Sequence, residues 1–198
     1  MLAATPSLCF ADERVLAEVS RMRGELRDHL WEVPAKRLKR LREFLTADAV
    51  AASNSIEGFT VATIDVEDLL AGERDVDISE ENRAETLAYE QMMTYIQTLH
   101  DVDDFAYSKG LLNALHWMLQ GHRHSPRKPA GQWRRGPVYV TDARDPSIAA
   151  YTAPDADAVP ALMAELVDWL DAADGTHPLV RAAMAHLHHG VDSPLGGR

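Results

Sequence analysis

Apolar residues recur every three or four positions through most of this chain, a period that restricts it to amphipathic helices packed on one another. Val15, Leu16, Val19, Met22 and Leu26 line one side of a first helix, with Asp12 as a natural N-cap and a break at Trp31, Val33 and Pro34. Leu38, Leu41, Phe44 and Leu45 mark a second, over 35–45, with Lys36, Arg37, Lys39, Arg40 and Arg42 outside; such a stripe is usually a solvated face. The alanine-rich stretch 47–58 favours helix and stops at Gly58. A short helix over 66–70 follows, capped by Thr63 or Asp65. Ser79-Glu80-Glu81-Asn82 opens a longer one with Leu87, Met92, Tyr95, Ile96 and Leu99 as its buried face. Tyr107 or Ser108 starts the next, carrying Leu111, Leu112, Leu115, Met118 and Leu119. Leu162, Met163, Leu166, Val167, Trp169 and Leu170 mark another. Pro178 sits where a first helical turn tolerates proline, and Leu179, Val180, Ala182, Ala183, Met184 and Leu187 complete the last.

One stretch reads as strand: 131–141, a turn over 142–146, and 148–152. Trp133, Tyr139 and Tyr151 could pack such a hairpin. The expected fold class is all-α, a single helical domain with one small β-hairpin. A length of 198 residues, 46% of them hydrophobic, suits one compact core. A net charge of −11 argues against a nucleic-acid surface and an anionic membrane. Cys9 is the one cysteine, so no internal disulfide can form, which fits a cytoplasmic location. The first residues lack a basic leader, and no stretch is long and apolar enough to span a bilayer. Asp101, Asp103 and Asp104 lack the glycine and distal glutamate of a calcium loop, and His116, His122 and His124 lack zinc-site spacing, so no metal ligand is expected.

Three motifs resemble one family. The segment HPLVRAAMAHLHH, 177–189, resembles the helix leading into the HPFxxGNGRxxR signature of Fic (Fido) proteins, which transfer AMP from ATP to protein hydroxyls. Laid on without gaps, the motif's catalytic histidine falls on Ser193, its proline on Pro194 and its phenylalanine on Leu195; the GNGR part has no counterpart. Ser193 cannot act as that base, so the resemblance implies a chain without its catalytic residue and inactive as it stands. Asp192-Ser193-Pro194 can be encoded GAT-TCA-CCN, which one base later reads Ile-His and, where N is C, Pro. The expectation is therefore an out-of-frame reading or truncation of a Fic motif.

Ser53-x-x-x-Glu57-Gly58 resembles the family's inhibitory motif (S/T)xxxE(G/N), whose glutamate enters the ATP site and pairs with an arginine that otherwise holds the γ-phosphate. Its place before the core implies the self-inhibited class with an N-terminal inhibitory helix. A carboxylate at a helix C-terminus is mildly unfavourable with the macrodipole, a weak independent hint that Glu57 answers to something outside its helix. The run GQWR…VYV…YTAP resembles the Fic flap, with Gly136, Pro137, Val138 and Tyr139 as the edge that holds a target segment by strand addition.

The resemblance implies an N-terminal helical region, 1–46, and an incomplete Fic-like domain, 47–198. It also implies ATP and Mg2+ as cofactors, a target protein at the flap and a homodimer. The alternative is a non-enzymatic helical interaction module, since antitoxin-like partners carry the same inhibitory motif; that reading implies no ATP binding. A metal site on His186, His188 and His189 is the weakest reading.

Overall fold

Seven α-helices carry most of the described residues: α1 (Phe10–Leu30), α2 (Ala35–Ile56), α3 (Thr63–Leu70), α4 (Glu80–Thr98), α5 (Lys109–Gln120), α6 (Val159–Asp171) and α7 (Pro178–Asp192). Among the described residues a single antiparallel pair, β1 (Tyr139–Thr141) and β2 (Ala149–Thr152), completes the all-α fold expected from the sequence. The computed structural model describes every residue except 1, 3, 57, 74–75, 142–148, 173 and 193–198. No helix among the described residues is long and apolar enough to cross a membrane. The chain divides into two compact units, Thr5–Glu90 and Met1–Ala4 with Gln91–Arg198, and the division falls inside α4.

In the Thr5–Glu90 unit, α1 begins at Phe10 with Cys9 at its N-cap, earlier than the Asp12 cap expected. Asp12 lies inside the first turn, where its carboxylate accepts the Cys9 N–H at 2.9 Å. A hydrogen bond with the Cys9 side chain above all, and this backbone bond after it, hold the Asp12 carboxyl below the usual range. The helical stretches expected at 35–45 and 47–58 form one continuous helix, α2, because Thr46, Ala47 and Asp48 offer no breaker between them. Its buried face is Ala47, Val50, Ala51 and Asn54, whereas Leu41, Phe44 and Leu45 are exposed. Small residues there let α3 approach closely, and Val61, Val66, Leu70, Ile78 and Tyr89 complete the core. Thr63 Oγ1 donates to Asp48 Oδ1 at 3.2 Å, tying the first residue of α3 to α2. On α4 the buried positions include Glu85 and Thr86, while Leu87, an expected core residue, is 42% exposed.

In the other unit the core is built on α6, whose Val159, Leu162, Met163 and Leu166 are buried against Leu2, Leu112, Trp133, Trp169 and Leu170. Ser108 caps α5, its hydroxyl accepting the Leu111 N–H at 3.0 Å. Helix α7 starts at Pro178, as expected, and buries Met184 and His188. Arg181 joins α7 to the end of α6: Nη1 donates to the carbonyls of Trp169 (2.6 Å) and Leu170 (3.2 Å), and the guanidinium stacks 5.2 Å from the Trp169 ring. Those carbonyls belong to the last turn of α6, where the Ala172 N–H also donates to the Trp169 carbonyl at 3.3 Å.

Candidate inhibitory segment and target-docking flap

Ser53 and Gly58 lie at the end of α2. Ser53 is half-buried, and its Oγ accepts a hydrogen bond from the Tyr89 hydroxyl on α4 at 2.9 Å. The neighbouring Asn54 is buried, its amide 3.5 Å from Thr86 Oγ1. Gly58 has φ +88°, the left-handed conformation that ends a helix. The Phe59 N–H then returns to the Asn54 carbonyl at 2.9 Å, and the Gly58 N–H to that of Ser55 at 3.1 Å. Nothing lies within 4 Å of a Cβ built on Gly58, so its backbone angle, not crowding, calls for glycine. Glu57, the expected inhibitory carboxylate, lies outside the described residues, as does Ser193. Tyr89, which orients the serine of the motif, carried no signal of its own in the sequence.

The flap belongs to the other unit. The strands are shorter than expected: 131–138 is turn and extended chain, and β1 begins only at Tyr139. Tyr139 pairs with Thr152, Val140 with Tyr151 and Thr141 with Ala149, with an irregularity between Val140 and Thr141. The Ala153 N–H donates to the Val138 carbonyl at 3.0 Å, carrying the ladder one residue further. Among the described residues β1 pairs only with β2, so its other edge is open, and Tyr139 is 54% exposed.

Side chains hold the approach to β1. His116 Nδ1 accepts the Gly131 N–H at 2.9 Å, and His124 Nδ1 accepts that of Ala130 at 3.2 Å. The His124 ring stands against Trp117, centroids 5.1 Å apart. Gly131 has φ +70°, and a Cβ there would meet the Asn113 carbonyl and Trp117 Cβ at 3.2 Å each. Arg134, 8% exposed, donates from Nη1 to the Gly136 carbonyl at 2.8 Å and from Nη2 to that of Pro154. So Gly136, Pro137, Val138 and Tyr139 leave a braced corner, and His116 and His124 serve as acceptors of backbone N–H groups.

His188, weighed as a metal ligand, is buried edge-on against Trp169, ring centroids 5.8 Å apart. Among the described residues no three His, Cys, Asp or Glu side chains are grouped to hold a metal ion.

A helical domain bearing one short flap hairpin over a braced corner defines a class, and solved structures identify it. A Fic family protein from Desulfovibrio desulfuricans superposes with a TM-score of 0.77 at 26% identity, covering 98% of this chain and 55% of its own. A Fic domain containing signaling protein from Bacteroides thetaiotaomicron gives 0.74 at 20% identity, over 86% of this chain and 63% of its own. Fic-1 from C. elegans gives 0.68 at 20%, over 94% and 54%. No protein-family model matches the chain, and no curated protein does. The chain has the fold of a Fic domain and spans between 54% and 63% of the length of these three structures.

Proposed function

We propose that this chain is the regulatory and target-docking part of a Fic-type AMP transferase. The observation that carries the reading is the open edge of β1, set on a braced corner in a domain that a Fic family protein matches over 98% of the chain. A target segment laid along that edge gains backbone hydrogen bonds, which align one of its hydroxyls whatever its side chains are. The hydroxyl oxygen attacks the α-phosphorus of ATP, the bond to the bridging oxygen breaks, pyrophosphate leaves, and the hydroxyl proton passes to a general base. That base and the phosphate loop belong to the motif that follows α7 in the family.

Glu57, next in sequence after the last residue of α2, is the inhibitory carboxylate in this reading, and the bond from Tyr89 to Ser53 fixes the last turn of that helix. The test begins with the gene from the Ala185 codon onward, expected to encode an Ile-His-Pro and GNGR-like stretch in a neighbouring frame. The full protein so encoded is then incubated with α-32P-labelled ATP and magnesium, as wild type and as Glu57→Gly. The variant should label protein at least about tenfold more than wild type, the factor that corresponds to 1.4 kcal/mol. No labelling by either would favour the non-enzymatic interaction module.

A further inference from the structure

A cavity of about 350 Å³ opens beside the flap, between the end of α5, the loop 123–130 and the corner 132–138. Five cationic side chains line it, Arg123, Arg127, Lys128, Arg134 and Arg135, and no Asp or Glu is among the described residues that line it. In a chain of net charge −11 this is a local reversal of sign. Its cations are divided in their roles. Arg134 is bound to the Gly136 and Pro154 carbonyls, and Arg135 donates to Gln132 Oε1 at 3.0 Å. Arg127 and Lys128 are exposed, and among the described residues neither has a carboxylate partner. They stand on a turn closed in both directions, Ser125 N–H to the Lys128 carbonyl and Lys128 N–H to the Ser125 carbonyl, each at 3.1 Å.

We propose that this cavity binds an acidic stretch of the target protein, flanking the segment held on the flap, and so selects targets by charge. The inference rests on the flap-docking reading. Continuity carries it: Gln132, Gly136, Pro137 and Val138 line the cavity, and β1 begins at the next residue, Tyr139. A chain paired with β1 therefore carries its flanking residues toward the basic wall, at about 3.3 Å per residue. A carboxylate matches the wall better than a phosphate group does. Phosphate sites are commonly nests of backbone N–H groups, whereas Pro126, Pro129 and Pro137 have none to offer, and the free cations sit on side-chain tips. Charge at such a rim steers association and rejects wrong partners, and salt screens it.

The test is isothermal titration of the chain with peptides that join a strand-forming Val-Thr-Val-Ser-Val segment to Glu-Asp-Glu, placed at either end. Each peptide has a twin carrying Gln-Asn-Gln instead. At about 50 mM salt one acidic peptide should bind at least about tenfold more tightly than its twin, and about 300 mM salt should remove most of that gap. In Arg127→Glu/Lys128→Glu the preference should vanish while binding of the twin persists. Both residues are exposed, and circular dichroism checks that the variant is folded. Equal binding of peptide and twin would overturn the basic cavity as a selector and leave flap docking standing. No binding of either would overturn both. Loss of the preference to inorganic phosphate, at matched ionic strength in chloride, would reassign the cavity to small anions and overturn the proposal.

Discussion

The Tyr89 hydroxyl donates to Ser53 Oγ at 2.9 Å, a bond between α4 and the last turn of α2 within one compact unit. It fixes the serine that opens the Ser53-x-x-x-Glu57-Gly58 pattern. Tyr89→Phe and Ser53→Ala should each destabilise by about 0.5–1.5 kcal/mol, and the double mutant should cost less than their sum by roughly 1 kcal/mol. Urea unfolding of the four proteins measures this, and strict additivity would show that the bond contributes nothing.

Gly131 and Gly136 flank the corner that leads into the flap, and only the first should resist substitution. At Gly131 an alanine meets a positive φ and two contacts of 3.2 Å, one of them with backbone. Gly131→Ala should therefore cost about 1–3 kcal/mol. At Gly136 nothing lies within 4 Å of a built Cβ, so Gly136→Ala should stay within about 0.5 kcal/mol of wild type. Thermal melts of the two variants side by side decide it.

Asp174 accepts the Thr176 N–H at 2.9 Å and pairs with Arg181, and the Thr176 bond above all holds its carboxyl below the usual range. A depressed folded-state value means that the stabilisation is present above the ordinary aspartate value of about 4 and fades as pH falls through the lower, folded one. The Thr176 amide should thus lose protection from hydrogen exchange, beyond the intrinsic change in rate, as pH drops below about 4. In Asp174→Asn that extra dependence should be absent.

Met163 is fully buried at the centre of the α6 core. Met163→Ala should cost about 2–5 kcal/mol, a cavity penalty added to the lost burial. Because α6 supports Trp133 at the flap corner, a melt below that of Gly131→Ala is expected for this variant.

The helices and the hairpin were legible because apolar spacing and breakers agree: Pro178 opens α7, Ser108 caps α5, and β1 and β2 fall within the one strand-like stretch. Faces were harder to read. Leu41, Phe44 and Leu45 outweigh Ala47 and Ala51 in any count of hydrophobicity, yet the alanines are buried because close helix approach needs small side chains. Likewise Leu87 lies outside while Glu85 and Thr86 are inside, since α4 turns a polar row inward. At the flap, GQWR read as strand, but a left-handed Gly131 held by His116 makes it a corner. Motifs marked Ser53 and the flap. Their supports, Tyr89, His116 and His124, come from other segments, and no local pattern announces such partners.

Trp31, at the break after α1, is 85% exposed and is the one tryptophan of the Thr5–Glu90 unit; Trp117, Trp133 and Trp169 all belong to the other. The molecule thus carries its own optical label. Under ultraviolet excitation Trp31 emits from water and is open to iodide, while Trp133 and Trp169, partly buried against the α6 core, emit at shorter wavelength. Trp117, half exposed beside the flap corner, shares the red band, so in Trp117→Phe a partner settling on the first helix would turn the red-edge emission blue and shield it from the quencher, and one occupying the flap would leave that band untouched.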